Sequence, residues 1–253
     1  MNDMPNRPPH MGLDFTGQHV VIIGAGGIGY ETARICAANG ARLSIIDIAD
    51  KSETPRANLV DADRHSWLKM DVTETASQLR IGELLEDADA LIITSAYFPD
   101  EPALELMSDE WFTTFRRVMD VNIGATMRLS QLAVAAMAAR GGGRIVILGS
   151  VAGRMGGLLS GALYASSKGA VHTFTRWLSL RAAPRGVNVN CLAPGVTDTP
   201  MIAGRPPADT SRIPAGRIAQ PNEIAPAVAF LASPAAGYIH GQVIDVNGGI
   251  WMS

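Results

Sequence analysis

Residues 21–29 read Val-Ile-Ile-Gly-Ala-Gly-Gly-Ile-Gly, a short apolar run followed at once by a glycine-rich turn. The run belongs to His19–Ile23, whose mostly apolar character is typical of a buried parallel strand, and helical spacing of apolar residues begins just after it. The turn has the pattern GxGxxG, formed by Gly24, Gly26 and Gly29. Such glycines let the backbone approach a pyrophosphate, whose charge then lies at the N-terminus of the helix. This stretch therefore predicts a strand, turn and helix that bind a dinucleotide.

The remainder of the chain repeats this alternation of strand and helix. Six further apolar runs predict strands at Arg42–Ile46, Trp67–Met70, Ala90–Thr94, Arg144–Leu148, Val187–Leu192 and Gln242–Val246. Helical patterns lie between them at roughly 73–86, 108–139, 163–183 and 221–232. The alternation predicts an α/β, doubly wound Rossmann-type fold, with a parallel sheet of about seven strands and helices on both faces. The polar, poorly periodic segment 50–66 predicts at most a short or irregular helix.

Composition limits the class of protein. The 253 residues, of which 47% are hydrophobic and 18% charged, predict a flexible N-terminal tail over residues 1–13 and a single dinucleotide-binding domain over 14–253. A net charge of −3 argues against nucleic acid as a partner. Two widely separated cysteines, together with the absence of a long apolar run and of a secretory signal, predict a cytoplasmic protein outside any membrane. The five histidines lack ligand spacing, so we expect no metal.

A carboxylate ends the second predicted strand at Asp47. At that place in a Rossmann-type fold, a carboxylate accepts hydrogen bonds from the adenosine ribose and repels a 2′-phosphate. The turn also carries no arginine or lysine between Gly24 and Glu31, so we expect NAD rather than NADP. A solvated carboxylate at a strand end is the alternative. Asp71, which follows the third strand, is predicted to be a helix N-cap or an adenine contact, and the two roles are compatible.

Tyr164 and Lys168 lie four residues apart at the start of a predicted helix. This spacing places the phenol and the ammonium on one helical face, with Cβ atoms about 5–6 Å apart. A neighbouring cation favours phenolate, so we expect the pKa of the tyrosine to fall below its usual value of about 10. The phenol could then serve as a general acid or base. An ordinary exposed pair on a helix is the alternative.

Over residues 15 to 250 the chain resembles the short-chain dehydrogenase/reductase family, in its shorter single-domain branch. The Tyr164/Lys168 pair is similar to the family's YxxxK. Gly149–Gly153 (GSVAG) is similar to its catalytic serine segment, and Val121-Asn122-Ile123 to its asparagine motif. Pro194–Met201 (PGVTDTPM) is similar to the family's PGxxxTxM, and residues 216–249 follow its C-terminal pattern.

The resemblance implies a catalytic set of Asn122, Ser150, Tyr164 and Lys168. In such a set Tyr164 exchanges a proton with the substrate hydroxyl, while Ser150 steadies the substrate oxygen. Lys168 lowers the pKa of the tyrosine and binds the nicotinamide ribose, and Asn122 holds a water between Lys168 and solvent. The residues expected to bind NAD are Gly24, Gly26, Ile28, Gly29, Asp47, Asp71, Val72, Tyr164, Lys168, Pro194, Gly195, Val196 and Thr199. The Thr199 hydroxyl is expected to hold the nicotinamide carboxamide.

Three features depart from the family's pattern. The turn GxGxxG is one residue shorter than the family's TGxxxGxG, so the pyrophosphate geometry is expected to differ. Ile93-Thr94-Ser95-Ala96 replaces the family's NNAG, so the hydrogen bonds of those asparagines must be made otherwise or lost. Ser150 and Tyr164 are 14 residues apart, one more than is common, and Ser160 is a weaker candidate for the serine role.

Residues 195–217 contain four prolines and few periodic apolar positions. This composition predicts a mobile loop near the ligand end of the sheet, suited to act as a lid. Several apolar residues on loops around the expected nicotinamide site fit a place in the core and a place against the ligand equally well: Met155, Leu158, Leu159, Val196, Met201 and Ile202.

Together the motifs predict an NAD-dependent oxidoreductase, a short-chain alcohol dehydrogenase or ketone reductase that transfers a hydride between nicotinamide and a secondary alcohol or ketone. Two alternatives stay open: an NADPH-linked 3-oxoacyl thioester reductase of the same fold, and a non-catalytic NAD(H)-binding sensor or scaffold. The intact catalytic set argues against the sensor. The resemblance also implies a homotetramer or homodimer that acts on a small-molecule alcohol or ketone.

Overall fold

The computed structural model of the chain describes residues 13–50, 59–100, 109–156 and 160–252. Seven strands form one parallel sheet in the order β3-β2-β1-β4-β5-β6-β7. Their bounds are β1 His19–Ile23, β2 Arg42–Asp47, β3 Ser66–Lys69, β4 Ala90–Ile93, β5 Gly143–Leu148, β6 Val187–Pro194 and β7 Val243–Val246. All seven predicted strands are confirmed. The predicted tail, apart from its last residue, lies outside the described residues.

Helices cover both faces of the sheet, as the alternation predicts. Their bounds are α1 Gly27–Ala38, α2 Thr75–Leu85, α3 Asp109–Val118, α4 Thr126–Ala139, α5 Ala152–Met155, α6 Ala162–Ala182 and α7 Pro221–Ala232. On one face α1 and α7 bury apolar side chains such as Cys36 and Val228. On the other face α2, α4 and α6 bury Ile81, Leu129 and Phe174. The doubly wound Rossmann-type fold is confirmed, and no described helix is long and apolar enough to cross a membrane.

One predicted helix is interrupted. The pattern over 108–139 indicates a single helix, but its described part consists of α3, a π-helical turn over Met119–Ala125, and α4. A π-helical turn inserts an extra residue, occurs frequently at functional sites, and leaves the surrounding helical periodicity almost unchanged. The short helix α5 likewise has no counterpart among the predicted elements, because four residues carry too little periodicity to be recognised. In segment 50–66 the described part holds a single 3-10 turn, Ala62–Arg64, and the first residue of β3.

The order of the strands determines where a ligand can bind. Chain connections reverse direction between β1 and β4, which lie side by side in the sheet. In open parallel sheets, ligands bind at the carboxyl ends of the strands near such a reversal. The turn after β1, Thr94 after β4 and Ser150 after β5 all lie at this edge, because the three strands are parallel. The fold therefore brings the sequence motifs to one edge of the sheet.

Helix α6 packs closely against the segment that follows β5. The ring of buried His172 lies against this segment, and its Nε2 is 3.4 Å from the backbone nitrogen of Ser150, which donates to it. A Cβ added at Gly149 would overlap His172 Nε2, and one added at Gly153 would lie 2.8 Å from His172 Cε1. The histidine ring therefore leaves no room for a side chain at Gly149, and the ring together with the backbone of α6 leaves none at Gly153. The ring in turn supports Ser150.

Burial, reinforced by the positive charges of Arg154, Lys168 and Arg176, lowers the pKa of His172 to about 4. In the unfolded chain a histidine has a pKa of about 6.5, so between pH 6.5 and pH 4 the unfolded state binds more protons than the folded state. Stability is therefore lost as the pH falls through this window. We predict that lowering the pH from 7 to 5 reduces the free energy of unfolding by about 1–2 kcal/mol more in the wild type than in His172→Gln. Urea unfolding at the two pH values measures this difference, and equal pH dependence of the two proteins would contradict it.

Candidate active site

A cavity of about 510 Å³ lies at the carboxyl ends of the strands, where the sequence motifs meet. Thirteen of the predicted site residues line it: Gly24, Gly26, Ile28, Asp47, Asp71, Val72, Ser150, Tyr164, Lys168, Pro194, Gly195, Val196 and Thr199. The remaining two, Gly29 and Asn122, do not line the cavity, and their contacts are described below. The glycine turn and the Tyr164/Lys168 pair thus share one continuous cavity, which the shortened turn does not block.

The glycines of the turn allow close packing of β1, α1 and β4. Gly24 has a φ of +97°, and a Cβ there would lie 2.7 Å from the backbone nitrogen of Ser95. A Cβ at Gly29 would overlap the carbonyl oxygen of Gly24 and lie 2.5 Å from Thr94 Oγ1. Only residues without a side chain fit at these two positions. The turn therefore leaves Gly24 and Gly26 facing the cavity with no side chain in the way, as a bound pyrophosphate requires.

Thr94, in the segment that stands where the family has NNAG, holds the glycine turn through its hydroxyl. Its hydroxyl oxygen lies 2.8 Å from the carbonyl oxygen of Gly24 and 3.1 Å from that of Ile23, and its single hydrogen is shared between these two acceptors. The backbone nitrogens of Thr94 and Ser95 also donate to Ile23. The departure from NNAG therefore does not leave the turn without support, since a hydroxyl after β4 binds it directly.

Asp47 holds the glycine turn as well as facing the cavity. One carboxylate oxygen accepts a hydrogen bond from the backbone nitrogen of Ala25 at 2.7 Å, and the other accepts from Ala49 at 2.9 Å. The carboxylate is thus fixed at the end of β2 rather than free in solvent. An anion in this position is repelled by any further negative group that approaches the same end of the cavity.

Asp71 and Val72 line the cavity beyond β3. One Asp71 oxygen accepts from the backbone nitrogen of Thr73 at 2.9 Å and from the Thr73 hydroxyl at 2.7 Å. The N-cap of α2 is Glu74, so Asp71 closes a turn before the helix and is not its N-cap. The adenine contact of Asp71 stays a prediction.

Tyr164 forms a hydrogen bond with the side chain of Ser150, which joins the start of α6 to the end of β5. Burial raises the pKa of Tyr164 to about 12, and the bond to Ser150 only partly opposes this rise. The expectation that Lys168 holds this pKa below 10 is therefore wrong for the structure described here. The physical reason is desolvation, which penalises the charged phenolate. The Nζ of Lys168 lies 5.6 Å from the centre of the tyrosine ring.

Lys168 is almost completely buried, and its Nζ donates to the carbonyl oxygen of Leu148 at 2.8 Å. Burial lowers the pKa of this lysine to about 8. The amine faces the cavity while it is tied to the last residue of β5. A group with this pKa exchanges protons readily near neutral pH, which suits a residue next to a general acid or base.

Asn122 lies on the π-helical turn and is 1% exposed. Its Oδ1 accepts from the backbone nitrogen of Tyr97 at 2.7 Å, and its Nδ2 donates to the Tyr97 carbonyl at 3.0 Å. The same Nδ2 lies 3.0 Å from Ser167 Oγ, on α6. The side chain thus fixes the segment after β4 against α6 and does not itself line the cavity.

The segment after β6 supplies a further wall. A Cβ at Gly27 would lie 2.6 Å from Thr199 Cγ2, so Thr199 packs directly on the glycine turn. The sequence analysis did not decide whether six apolar loop residues belong to the core or contact the ligand. Four of them line the cavity: Met155, Val196, Met201 and Ile202. The other two, Leu158 and Leu159, lie outside the described residues.

Several lining residues escape the sequence analysis, among them Tyr97, Phe98 and Arg117. Tyr97 and Phe98 come shortly after β4 in the sequence. This closeness to the carboxyl end of a central strand would have been enough to predict them as site residues. Ser160, the weaker serine candidate, also lines the cavity, and its buried Oγ has no hydrogen-bond partner within the described structure. Ser150 is the serine hydrogen-bonded to Tyr164, while Ser160 is a polar atom available to a ligand.

The fold and the cavity together define a dinucleotide-binding α/β protein with a buried tyrosine, serine and lysine at one end of its site. The sequence model of the family described as Enoyl-(Acyl carrier protein) reductase matches residues 23–251. The chain belongs to the short-chain dehydrogenase/reductase family. It is an oxidoreductase of that family, whose members act on alcohols and ketones with a nicotinamide cofactor.

Relatives with different names are similar to the chain over nearly its full length. Cis-4-hydroxycyclohexanecarboxylate dehydrogenase of Sinomonas cyclohexanicum is 35% identical, over 94% of this chain and 98% of the relative. The 3-oxoacyl-(acyl-carrier-protein) reductase of Vibrio cholerae is 34% identical, over 95% of this chain and 100% of the relative. A crystal structure described provisionally as an NAD(P)-dependent gluconate 5-dehydrogenase of Beutenbergia cavernae, with NADP at low occupancy, has a TM-score of 0.84 and 35% identity, over 94% of this chain and 98% of that one.

The closeness of Gly29 to Gly24 gives a direct test of the turn. We predict that Gly29→Ala destabilises the protein by about 1–3 kcal/mol, because the added methyl group forces the backbone of the turn apart. For the same reason we expect the affinity for NADH to fall about tenfold or more. Urea unfolding and titration of NADH fluorescence measure the two effects.

Gly82→Ala is a matched control, because Gly82 also lies in a helix but its added Cβ would meet nothing closer than Leu132 Cδ1 at 3.9 Å. We expect this control to gain about 0.5–1 kcal/mol in stability and to bind NADH normally. If Gly29→Ala behaved like the control, the tight turn would not be required.

Proposed function

We propose that this chain is an NAD-dependent alcohol dehydrogenase or ketone reductase that transfers a hydride between nicotinamide and a secondary alcohol or ketone. The observation that carries the proposal is the single cavity, whose walls include the glycine turn together with Tyr164, Ser150 and Lys168. A shared cavity lets one bound dinucleotide contact the turn and the catalytic set at the same time.

The residues present fit a nicotinamide dinucleotide. Gly24 and Gly26 expose backbone to a pyrophosphate, and Asp47 offers carboxylate oxygens to a ribose. Thr199 would hold the carboxamide and Lys168 the nicotinamide ribose. When bound, the nicotinamide accepts or supplies the hydride, while the protein contributes binding, orientation and charge.

Tyr164 would handle the proton. Because burial holds its pKa at about 12, the phenol is protonated at neutral pH and can donate to the oxygen of a ketone during reduction. In the oxidation of an alcohol the same group must act as a base, so this direction is favoured by high pH. Ser150, which shares a hydrogen bond with the phenol, would hold the same substrate oxygen.

Asn122 completes the proposed catalytic set. Its side chain is occupied by Tyr97 and Ser167, so a water between Lys168 and solvent would bind the backbone carbonyl of Asn122 rather than its amide. The π-helical turn supports this role, since backbone bonding is irregular there. The side-chain bonds would keep that carbonyl in place.

The preference for NAD rests on Asp47. Its carboxylate is held at the end of β2 by two backbone nitrogens, where an adenosine 2′-phosphate would meet a fixed negative charge. The described turn supplies no cation to offset it, because no arginine or lysine occurs between Gly24 and Glu31. We propose Asp71 and Val72 as the adenine side of this site.

The walls near Tyr164 favour an uncharged, partly apolar substrate. Phe98, Met155, Met201 and Ile202 contribute apolar surface there. Ser160 adds a hydroxyl that has no hydrogen-bond partner among the described residues and that would bind a second oxygen of the substrate. A small secondary alcohol or ketone fits this combination.

Reduction of a 3-oxoacyl thioester with NADPH is a second candidate. It is favoured by the family description and by the similarity to the Vibrio cholerae reductase. Asp47 argues against the phosphorylated cofactor that this candidate requires. The comparison of the two cofactors described below separates the candidates. If the protein binds NAD(H) but turns over no alcohol or ketone in the panel below, it is a non-catalytic NAD(H) sensor.

A homotetramer or homodimer is part of the proposal. The exposed faces of α3 and α6 carry large apolar side chains, including Phe112, Trp177 and Leu180, the last 75% exposed. Apolar side chains grouped on neighbouring helices are typical of surfaces between subunits.

Replacement of the phenol tests the proton transfer. We predict that Tyr164→Phe lowers kcat by about 10²–10⁴-fold, because the ring remains but the acidic hydroxyl is lost. The affinity for NADH, measured by fluorescence titration, should change less than about twofold, since the phenyl ring keeps the packing of the cavity. Turnover is followed by NADH absorbance across a panel of secondary alcohols and ketones. A Tyr164→Phe enzyme with wild-type kcat would refute the assignment of Tyr164.

Replacement of the carboxylate tests the choice of cofactor. We predict that Asp47→Ala reduces the ratio of kcat/KM for NAD to kcat/KM for NADP by about tenfold or more, because the repulsion of the 2′-phosphate is removed. Asp47→Asn keeps an oxygen that can accept from Ala25 and separates the loss of charge from the loss of the hydrogen bond. An unchanged ratio in both variants, or a wild type that prefers NADP, would contradict the assignment of NAD.

A further inference from the structure

Three side chains form a stack at the substrate end of the cavity, which we call the Arg205 stack: Arg205, Phe98 and Tyr164. The guanidinium carbon of Arg205 lies 4.0 Å from the centre of the Phe98 ring. The centres of the Phe98 and Tyr164 rings are 4.6 Å apart, and their planes are tilted by 57°. Phe98 also lines the cavity. A cation on the segment after β6 is therefore one aromatic ring away from the proposed acid or base.

Arg205 is held at Phe98 by more than the ring. Its Nη2 donates to the carbonyl oxygen of Phe98 at 2.9 Å, and its Nη1 forms an ion pair with Asp100 at 2.7 Å. The arginine side chain is 21% exposed, whereas that of Asp100 is 92% exposed. Ion pairs with an exposed partner contribute little, so the contacts with Phe98 dominate the binding of this side chain.

Two successive turns link Arg205 to the cavity wall. The backbone nitrogen of Arg205 donates to Ile202 at 3.1 Å, and that of Ile202 donates to Thr199 at 3.0 Å. Thr199 and Ile202 both line the cavity. Any displacement of Arg205 from Phe98 would therefore loosen the wall that carries Thr199 and Ile202.

We propose that Arg205 is a positioning residue, which docks residues 199–205 onto Phe98 and keeps the Phe98 ring against Tyr164 as the surface that receives the apolar substituent of the substrate. The inference rests on the proposed function in naming an alcohol or ketone as the substrate. It goes beyond that function by assigning substrate selection to a ring that a cation outside the cavity holds in place. Phe98 is the residue that touches the substrate in this scheme, and Arg205 acts through it.

A double-mutant cycle tests the coupling. The substrate for this test is the secondary alcohol from the panel above that the wild type oxidises fastest. We expect Arg205→Met to raise the KM for this alcohol about three- to tenfold, with kcat within about twofold, because the variant loses the cation above the ring. Arg205→Lys should restore most of the affinity, since it keeps a cation at this position. In a Phe98→Leu background the same Arg205→Met change should alter KM by less than about twofold, because there is no ring left to position. Losses that multiply in the double variant would refute the coupling.

Amide hydrogen exchange provides a readout that does not depend on turnover. We expect residues 199–205 to exchange at least about threefold faster than in the wild type in both Arg205→Met and Phe98→Leu. The double variant should exchange no faster than either single variant. Arg212→Met is the matched control, since Arg212 is exposed on the same segment, and its exchange should equal that of the wild type. Unchanged exchange in Arg205→Met would overturn the docking role. A wild type that turns over no alcohol or ketone would instead refute the proposed function, and the exchange comparison would still decide the role of Arg205.

Discussion

The buried amine of Lys168 is the constraint on which the rest of the site depends. A charged group taken out of water is costly unless hydrogen bonds replace its hydration, and the carbonyl of Leu148 provides one at 2.8 Å. That bond ties α6 to the last residue of β5, one residue before Gly149. Tyr164 lies on the same helix and Ser150 two residues after the end of β5, and their side chains are hydrogen-bonded. The proton-handling groups are therefore aligned by the bond that makes the burial of Lys168 tolerable.

Close packing beneath this arrangement explains the glycines of the GSVAG segment. His172 fills the space that a side chain at Gly149 would need, and together with the backbone of α6 it fills the space beside Gly153. The ring also accepts a hydrogen bond from the backbone of Ser150. Two consecutive turns of α6 thus serve different purposes. Lys168 fixes the helix to β5, and His172 supports the segment that presents the serine. A larger residue at either glycine would move Ser150 relative to Tyr164.

Much of the fold follows from the sequence, because parallel strands buried on both faces leave uninterrupted apolar runs. His19–Ile23 and Ala90–Ile93 are recognisable on that basis alone. The spacing of Tyr164 and Lys168 also predicts their shared cavity wall, since helix geometry is regular. Contacts between distant segments are different. The hydroxyl of Thr94 supports the glycine turn because the sheet places it against Gly24, and no local sequence pattern predicts that contact.

The pKa of Tyr164 is a second property that the sequence alone does not predict. Sequence spacing places a cation near the phenol but does not give the depth of burial, and burial raises this pKa to about 12 despite the hydrogen bond from Ser150. The π-helical turn around Asn122 is a further case, because one extra residue scarcely alters the helical pattern, although it directs the side chain to Tyr97. Properties set by three-dimensional surroundings therefore had to come from the structure.

The segment after β6 joins the two ends of the cavity mechanically. Thr199 packs against Gly27 of the glycine turn so closely that a methyl group there would lie 2.6 Å from Thr199 Cγ2. Six residues further on, Arg205 rests on Phe98, which contacts Tyr164. The two turns between Thr199 and Arg205 leave little slack, since each is closed by a backbone hydrogen bond. Residues 199–205 therefore contact the glycine turn at one end and the ring beside the phenol at the other, so that one short stretch of chain borders both sides of the proposed site.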